Sequence, residues 1–217
     1  MPLHVARPSR SSAADRLVFE REYREKGFPV VAGIDEAGRG PWAGPVVAAC
    51  VCLPEETDGL EVLDDSKKLS SQKRETYYEL LQGRALSIGV GIVDAGTIDR
   101  INILQATFLA MQQAAQQISP NPDFYLIDGN RKPTWTDRAL TLIKGESQSL
   151  SIAAASIVAK VTRDRLMDAY DAQFPQWGFA HHKGYGTAEH LSAIRVHGIC
   201  AIHRRSYSPI AQMNFPL

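Results

Sequence analysis

The hydrophobic residues of the chain form several short continuous runs, and each run is bounded by polar residues or by glycine and proline. The first run covers residues 30–34 and stops at the adjacent acids Asp35 and Glu36. A short, β-rich run of this kind predicts a central strand that is buried on both faces. Similar runs predict further strands at residues 46–53, 85–93, 124–127 and 140–143.

Helical periodicity and capping residues predict the helices. Ser12 and Asp15 resemble a capping box, and Gly27 and Pro29 mark the end of the short helix that follows. Longer helices are predicted at residues 70–81, 101–118, 151–170 and 187–197. The strands come close together first and then alternate with helices. This order predicts an α/β fold in which helices flank a mixed five-stranded sheet.

The length and composition indicate a globular protein with one principal domain. The 217 residues are 44% hydrophobic and 22% charged, which excludes disorder throughout the chain. We expect a flexible N-terminal tail over residues 1–11, a principal domain over residues 12–180, and a small helical C-terminal extension over residues 181–217. We also expect a monomer.

The net charge does not point to a nucleic-acid partner. The 24 Lys and Arg residues are balanced by 24 Asp and Glu residues, whereas a protein that attracts nucleic acid through its bulk charge is strongly basic. The segment 181–217 leans basic, so any such partner has to be argued from local features.

The three cysteines favour a reducing compartment over a disulfide framework. Cys50 and Cys52 lie two apart in an apolar run, which is typical of buried small residues on one sheet face. The absence of a C-x-x-C motif argues against zinc. No run of about 18 apolar residues and no signal peptide is present, so we expect a cytoplasmic protein without a membrane partner.

Acidic residues end two of the predicted strands. Asp35 and Glu36 follow the first, and Asp128 follows the run 124–127. Ligands bind at strand ends in open sheets, and a cluster of like charges needs a cation. Ligand sets made only of oxygen select Mg²⁺ or Mn²⁺ over zinc. Paired ions of this kind activate water for in-line attack on a phosphodiester.

The glycine-rich segment after the first strand admits two interpretations. Gly33, Gly38, Arg39 and Gly40 nearly match the P-loop pattern, but Arg39 replaces its lysine, Gly40 offers no hydroxyl, and two acids inside the loop would repel phosphates. A nucleotide-binding switch or NTPase is therefore the weaker alternative. Glycines also let backbone groups approach a ligand closely, which suits a 2′-hydroxyl because it is both donor and acceptor.

The segment 33–41, Gly-Ile-Asp-Glu-Ala-Gly-Arg-Gly-Pro, resembles the opening signature of bacterial ribonuclease HII. The resemblance continues, in the order of that family, through residues 65–69, 101–106, 128–130, 151–164 and 182–186. It implies a ribonuclease H-like fold and endonucleolytic cleavage of RNA in RNA–DNA hybrids, including single ribonucleotides embedded in duplex DNA.

The resemblance also implies roles for individual residues. Asp35, Glu36 and Asp128 would be catalytic metal ligands. The Gly38-Arg39-Gly40 turn would read the 2′-hydroxyl at the RNA–DNA junction, and Tyr185, in the C-terminal extension, would stack on a sugar there. The expected phosphate contacts, which position the substrate without specifying its sequence, are Lys67, Lys68 and Lys183.

One position departs from the family pattern. After Lys144 and Gly145, where the family usually has a fourth catalytic aspartate, this chain has Glu146. Glu146 is our candidate for the fourth catalytic metal ligand, although its extra methylene suits a water-mediated ligand better than a rigid one. Asp164 is the competing candidate, but its helical setting also suits an ion pair with a neighbouring arginine, Arg163 or Arg165.

Other interpretations stay open. A nucleic-acid-binding protein that kept the fold without catalysis is the main alternative, although a binder gains nothing from acids that face phosphates. Five histidines invite a general-base or metal role but are more often surface or packing residues, namely His181, His182, His190, His197 and His203. The tail 212–217 resembles the short Gln-led peptides that dock on sliding clamps, and a frayed terminus is the simpler account.

Overall fold

The computed structural model describes residues 15–60, 62–63 and 69–213. Five strands form one mixed sheet: β1 Val31–Ala37, β2 Val46–Cys52, β3 Ser87–Val93, β4 Phe124–Asp128 and β5 Ala139–Leu142. Their order across the sheet is β3-β2-β1-β4-β5. β2 is antiparallel to both β1 and β3, whereas β4 is parallel to both β1 and β5. The predicted mixed five-stranded sheet is confirmed.

Helices cover both faces of this sheet. Within the described residues they are α1 Val18–Glu25, α2 Ser71–Arg84, α3 Ala95–Ala115, α4 Leu150–Gln173, α5 Phe179–His182 and α6 Ala188–His197. On one face, α3 packs its small residues Ala106 and Ala110 against Ile34. On the other face, α4 packs Ala154 and Ile157 against β2. Burial of this apolar surface is the main force that holds the layers together.

β1 is longer than predicted. The apolar run ends at Ile34, but Asp35 and Glu36 still pair with Ala49 and Ala48 of β2. The prediction that the strand stops at the two acids was therefore wrong, because backbone pairing continues beyond the apolar side chains. The two acids consequently occupy a rigid strand, where successive side chains point to opposite faces.

α3 begins earlier than the predicted residue 101. The Asp94 side chain accepts a hydrogen bond from the Thr97 N–H (2.7 Å) and caps the helix. Asn102 interrupts the helix with a φ of 65°, and its side chain accepts hydrogen bonds from the N–H groups of Leu104 and Gln105. Asn tolerates this left-handed conformation better than most residues, so one interrupted helix replaces the predicted one.

The capping box predicted for α1 falls partly outside the described residues, because Ser12 is not among them. The Asp15 side chain accepts a hydrogen bond from the Leu17 N–H (3.1 Å), and no side chain caps the helix from its N-cap residue Leu17. The predicted starts of two later helices, at residues 70 and 187, agree with the structure, in which Ser70 caps α2 and Thr187 caps α6.

The C-terminal segment is tied to the loop that follows β1. Trp42 and Gly44 donate backbone hydrogen bonds to Gly184 and Ile202, and Ala43 forms an isolated β-bridge with His203. The short helix α5, which the sequence did not predict, spans the expected boundary after residue 180. Among the described residues, no helix combines the length and apolar character needed to cross a membrane.

Candidate active site

Three of the predicted carboxylates come together at one edge of the sheet. Ile34 pairs with Ile127 in the parallel β1–β4 ladder, so Asp35 and Asp128 lie at the same level. Glu36 and Asp128 line a cavity of about 230 Å³, which we call the acidic cavity. Its other walls come from α3 and from the segment that follows β4: Leu104, Thr107, Phe108, Met111, Gly129, Asn130, Arg131 and, from the loop after β1, Arg39.

Asp35 is buried against α4 and is only 4% exposed. It accepts hydrogen bonds from the Glu36 N–H (2.7 Å) and from the Ser156 hydroxyl. Burial raises the pKa of the Asp35 carboxyl well above its ordinary value, and the negative charges of Glu36 and Asp128 raise that pKa further. A cation placed among these acids would favour the ionised form.

The close approach of α4 to β1 depends on Gly33. A Cβ atom on that residue would lie 2.1 Å from the carbonyl carbon of Ser151, so any larger residue would push the helix away. Gly33 thus belongs to a packed strand and not to a phosphate-binding loop. This position removes the structural basis for the P-loop alternative.

Glu146 is connected to Asp128 through Gly145. The Gly145 N–H donates a hydrogen bond to Asp128 Oδ1 (2.7 Å), and Glu146 follows in the 3-10 turn Gly145–Ser147. Its side chain is buried, with 8% exposure. Its role as the fourth ligand stays a prediction.

Asp164 lies on α4 between two cations. One carboxylate oxygen accepts a hydrogen bond from Lys160 Nζ (2.6 Å), and the other lies 3.6 Å from Arg74 Nη2. The sequence had suggested Arg163 or Arg165 as ion-pair partners, which is wrong because adjacent residues on a helix do not face each other.

The acids offer a donor set that suits a hard divalent cation, since every candidate ligand is a carboxylate oxygen. In the part of the chain that the structure describes, no three Asp, Glu, His or Cys side chains already form a group that could hold a metal ion. The negative charge that surrounds buried Asp35 would nevertheless favour the binding of a cation.

The predicted ribose-reading turn forms a second cavity of about 220 Å³, which we call the glycine-turn cavity. Gly38, Arg39 and Gly40 line it together with Tyr185, whose side chain is 45% exposed. Glu36, Ala37, Ser156 and Lys160 complete its wall. The structure therefore brings the predicted turn and the predicted stacking residue together beside the acids.

Two buried arginines bind the backbone of the Gly38-Arg39-Gly40 turn and of the segments next to it. Arg163 donates hydrogen bonds to the carbonyl oxygens of residues 43, 45 and 183, and Arg204 donates to those of residues 38, 39 and 44. Both side chains have 0% exposure. Neither forms an ion pair with a carboxylate of residues 15–60, 62–63 or 69–213. Backbone carbonyls therefore solvate both charges, and this fixes the shape of the turn.

The predicted phosphate contacts are not gathered in either cavity. Lys67 and Lys68 lie outside the described residues. Lys183 Nζ contacts the Asp168 carboxylate, and the Lys183 backbone carbonyl binds Arg163. A phosphate role for Lys183 would require its ammonium group to leave Asp168.

The five histidines do not line either cavity. His203 Nε2 lies 3.1 Å from His190 Nε2, and His190 Nδ1 lies 2.9 Å from the carbonyl oxygen of Tyr185. Burial lowers the pKa of both imidazoles to about 4, so both are neutral near pH 7. This arrangement agrees with the packing interpretation, since it ties Tyr185 to the C-terminal segment.

Sequence reasoning did not place several residues in this site, namely Ser156, Lys160, Arg163 and Arg204. One signal for two of them was available. In the apolar first half of α4, Ser156 and Lys160 are two of only three polar residues between positions 150 and 161, and they lie four residues apart. Such spacing places both on one face of the helix.

Solved structures share this fold. The ribonuclease H2 of Pyrococcus horikoshii OT3 aligns with a TM-score of 0.71 and 24% identity over 84% of this chain and 96% of its own. A structure of the PCNA:RNase HII complex from Archaeoglobus fulgidus aligns with a TM-score of 0.69 and 26% identity over 82% of this chain and 95% of its own. Bst-RNase HIII in complex with Mn²⁺ aligns with a TM-score of 0.67 and 18% identity over 84% of this chain and 68% of its own. The protein is thus of the ribonuclease H-like class.

Sequence comparison narrows this class. The family model Ribonuclease HII matches residues 32–210. The ribonuclease HII of Geotalea daltonii is 55% identical over 196 residues, which are 90% of each chain. That of Bacillus subtilis is 52% identical over 192 residues, 88% of this chain and 74% of its own. The chain belongs to the ribonuclease HII family and is an endoribonuclease, so the comparisons support neither the non-catalytic alternative nor the NTPase alternative.

Proposed function

We propose that the protein hydrolyses the phosphodiester bond on the 5′ side of a ribonucleotide and leaves a 3′-hydroxyl and a 5′-phosphate. The substrates would be RNA–DNA hybrids and duplex DNA that contains single ribonucleotides. The position of Glu36 carries this proposal, because its side chain lies on the wall of both cavities. A ribose bound in the glycine-turn cavity would therefore place its 5′-phosphate beside the acids.

Different residues of the protein would recognise the ribose and position the substrate backbone. Backbone groups of the Gly38-Arg39-Gly40 turn would contact the 2′-hydroxyl, and Tyr185 would stack on the neighbouring sugar. Residues 12–180 would carry the carboxylates, and residues 181–217 would complete the substrate-binding site through Tyr185. Lys67, Lys68 and Lys183 would contact phosphates along the strand.

The four acids Asp35, Glu36, Asp128 and Glu146 would hold Mg²⁺ or Mn²⁺. The ribonuclease H family depends on divalent metal ions, and the carboxylate donor set suits either ion. When bound in pairs, such ions would supply activation of a water and stabilisation of the leaving 3′-oxygen. The Gly145 N–H would keep Asp128 oriented throughout the reaction.

Cleavage of three matched duplexes tests this proposal. The first contains a single ribonucleotide, the second has a deoxyribonucleotide at the same position, and the third is a continuous RNA–DNA hybrid. With Mg²⁺ or Mn²⁺ we expect cleavage of the first and third only, and we expect EDTA or Asp128→Asn to abolish it. Equal cleavage of the all-DNA duplex, or cleavage that survives EDTA, would contradict the proposal.

A sliding clamp is a second proposed partner. The tail begins at Gln212, which ends the 3-10 turn Ile210–Gln212, and residues 214–217 lie outside the described part of the chain. The related Archaeoglobus fulgidus structure is a complex of ribonuclease HII with PCNA. Deletion of residues 212–217 is expected to weaken clamp pull-down while cleavage of short duplexes continues, and unchanged pull-down would end this proposal.

We also propose that the enzyme is a monomer and acts in the cytoplasm. The monomer is checked by light scattering across a concentration series, and a mass of twice 23.9 kDa would contradict it.

A further inference from the structure

Lys160 occupies an unusual position beside the candidate active site. It lies one helical turn after Ser156, whose hydroxyl binds Asp35, and it lines the glycine-turn cavity together with Gly38, Gly40 and Tyr185. Its side chain is mostly buried, with 21% exposure. It thus places a cation on the wall of the cavity where the ribose is proposed to bind.

A neighbouring carboxylate holds Lys160 in this position. Asp164, one turn further along α4, accepts a hydrogen bond from Lys160 Nζ (2.6 Å) and is itself 3.6 Å from Arg74 Nη2. The side chains of Asp164 and Arg74 are also mostly buried, with 15% and 13% exposure. The Asp164 carboxylate therefore lies between two cations and fixes the position of the Lys160 ammonium group.

The chemistry of a nucleotide indicates which anion this is. The 2′-hydroxyl and the 3′-oxygen are on adjacent carbons of the ribose, so a pocket that contacts the 2′-hydroxyl is close to the 3′-phosphate. The 5′-phosphate of the same nucleotide carries the bond to be cleaved and would lie at the acidic cavity. Lys160, a cation on the wall of the glycine-turn cavity, is therefore placed to contact the 3′-phosphate.

We propose that Lys160 binds the phosphate that joins the ribonucleotide to its 3′ neighbour, and that Asp164 is the positioning residue for its ammonium group. The proposal rests on the proposed function, since it takes the ribose to lie in the glycine-turn cavity. It gives Asp164 a role outside metal binding. It also supplies a phosphate contact that neither cavity receives from Lys183.

Binding measurements without divalent metal test the contact, using a fluorescent duplex with one ribonucleotide across a KCl series. Each phosphate contact contributes about 0.9 to the slope of log affinity against log salt, so Lys160→Met is expected to lower that slope by roughly 1. Lys26→Met is the matched control, because Lys26 also pairs with an acid four residues away (2.5 Å) but lies on α1, far along the chain. An unchanged slope for Lys160→Met would overturn the proposal.

A change in the substrate identifies the phosphate. Replacing the 3′-phosphate by a neutral methylphosphonate is expected to weaken binding to the wild-type protein about tenfold, the size of one charge-assisted hydrogen bond. The same replacement should have less than about a twofold effect on Lys160→Met, whereas a methylphosphonate one position further along should weaken both proteins equally. Equal losses for the 3′-phosphate in both proteins would refute the contact.

One further variant and two controls separate the ways in which the proposal could fail. Asp164→Asn is expected to retain cleavage and to raise KM more than it lowers kcat, and abolished cleavage would contradict its positioning role. Thermal melting checks that every variant is folded. If the wild-type protein binds the ribonucleotide duplex no better than all-DNA, the ribose-reading function fails, whereas the methylphosphonate comparison still reports on Lys160 alone.

Discussion

Asp35 and Glu36 are adjacent in sequence but have different surroundings. Asp35 is buried against α4, where Ser156 binds it, whereas Glu36 lines both cavities and accepts a hydrogen bond from Arg39 (3.2 Å). This difference follows from their position on a strand, where neighbouring side chains point to opposite faces. One acid is therefore fixed in the core, and the other can reach both cavities.

The buried Asp35 should make the metal-free protein less stable at neutral pH. Burial and like charges raise its pKa in the folded state above the roughly 3.9 of an unfolded chain. The stability that the protonated carboxyl contributes is therefore fully present below that value and is lost as the pH rises through the raised pKa. Asp35→Asn cannot ionise, so we expect it to melt a few degrees higher than wild type at pH 7 in EDTA.

Melting of wild type and Asp35→Asn at low pH provides the comparison for the result at pH 7. Below about pH 4 the advantage of Asp35→Asn should disappear, because the wild-type carboxyl is then neutral in both states. The exposed residue Asp58 gives a matched control, and Asp58→Asn should show no such pH-dependent gain. Equal melting temperatures for wild type and Asp35→Asn at pH 7 would show that the burial is not destabilising.

The fourth carboxylate can be assigned by comparing two positions. Glu146→Gln is expected to reduce cleavage by more than about a hundredfold, since changes to groups that only support metal ligands already cost 10 to 100-fold. Glu146→Asp should keep or raise activity, as it restores the residue usual in the family. Asp164→Asn is expected to retain cleavage. Loss of cleavage in Asp164→Asn alone, with folding intact, would show that Asp164 is the ligand.

At the scale of elements, α1 fixes the start of α4. Three N–H groups of the first turn of α4 receive acceptors: the Arg16 carbonyl for Leu150, the Glu20 carboxylate for Ser151, and the Ser149 hydroxyl for Ile152. Glu20 is 1% exposed and also accepts hydrogen bonds from two serine hydroxyls. The helix N-terminus favours a negative charge at this place. This contact also positions the turn that carries Glu146.

Removal of that carboxylate should destabilise the fold. Glu20→Ala leaves the buried Ser151 N–H and its hydroxyl without their acceptor, so we expect a loss of about 2–4 kcal/mol in urea unfolding. Glu22→Ala on the same helix removes only an exposed ion pair with Lys26 and should change stability by less than about 1 kcal/mol. Similar small losses for both variants would mean that Glu20 does not anchor α4.

Two glycines of the turn should separate stability from recognition. Gly38 has a φ of 93°, and a Cβ there would lie 2.0 Å from Arg163 Nε, so Gly38→Ala should lower the melting temperature. A Cβ on Gly40 would meet no atom closer than the Tyr185 ring at 4.0 Å. Gly40→Ala should therefore keep the melting temperature and reduce cleavage at a ribonucleotide, because the methyl group projects into the cavity. Full activity in Gly40→Ala would contradict the ribose-reading role.

The elements that the sequence predicted correctly are those with a local signal. The apolar runs predicted all five strands, and Ser70 and Thr187 marked two helix starts. The start of α3 was missed because the apolar spacing is clear only after Asn102, where the helix is interrupted. Helix α5 is only four residues long, which is too short for a periodic pattern.

At the scale of the whole molecule, the turn after β1 is held by distant parts of the chain. Arg163 contacts residues that lie up to 120 positions away, and Arg204 contacts residues that lie up to 166 positions away. Nothing in the local sequence around either arginine indicates these contacts, so their roles emerge only from the fold. The acids, in contrast, were predictable because they directly follow apolar runs.

The same arrangement explains why the C-terminal segment matters for the site. Tyr185 and Arg204 both come from residues 181–217. Tyr185 lines the same cavity as the Gly38-Arg39-Gly40 turn, and Arg204 donates a hydrogen bond to a carbonyl oxygen of that turn. The proposed ribose-reading surface thus combines two segments that lie far apart in the sequence. The sequence pointed to this only through its resemblance to the family.

We propose that the acids promote cleavage on the 5′ side of a ribonucleotide with water as the nucleophile. Mapping both product ends from a duplex with one ribonucleotide, in Mg²⁺ or Mn²⁺, tests this proposal. We expect one fragment that ends in a 3′-hydroxyl and a second fragment that begins with the ribonucleotide carrying a 5′-phosphate. Cleavage on the 3′ side of the ribonucleotide, or a 2′,3′-cyclic phosphate product, would show that the proposed reaction is wrong.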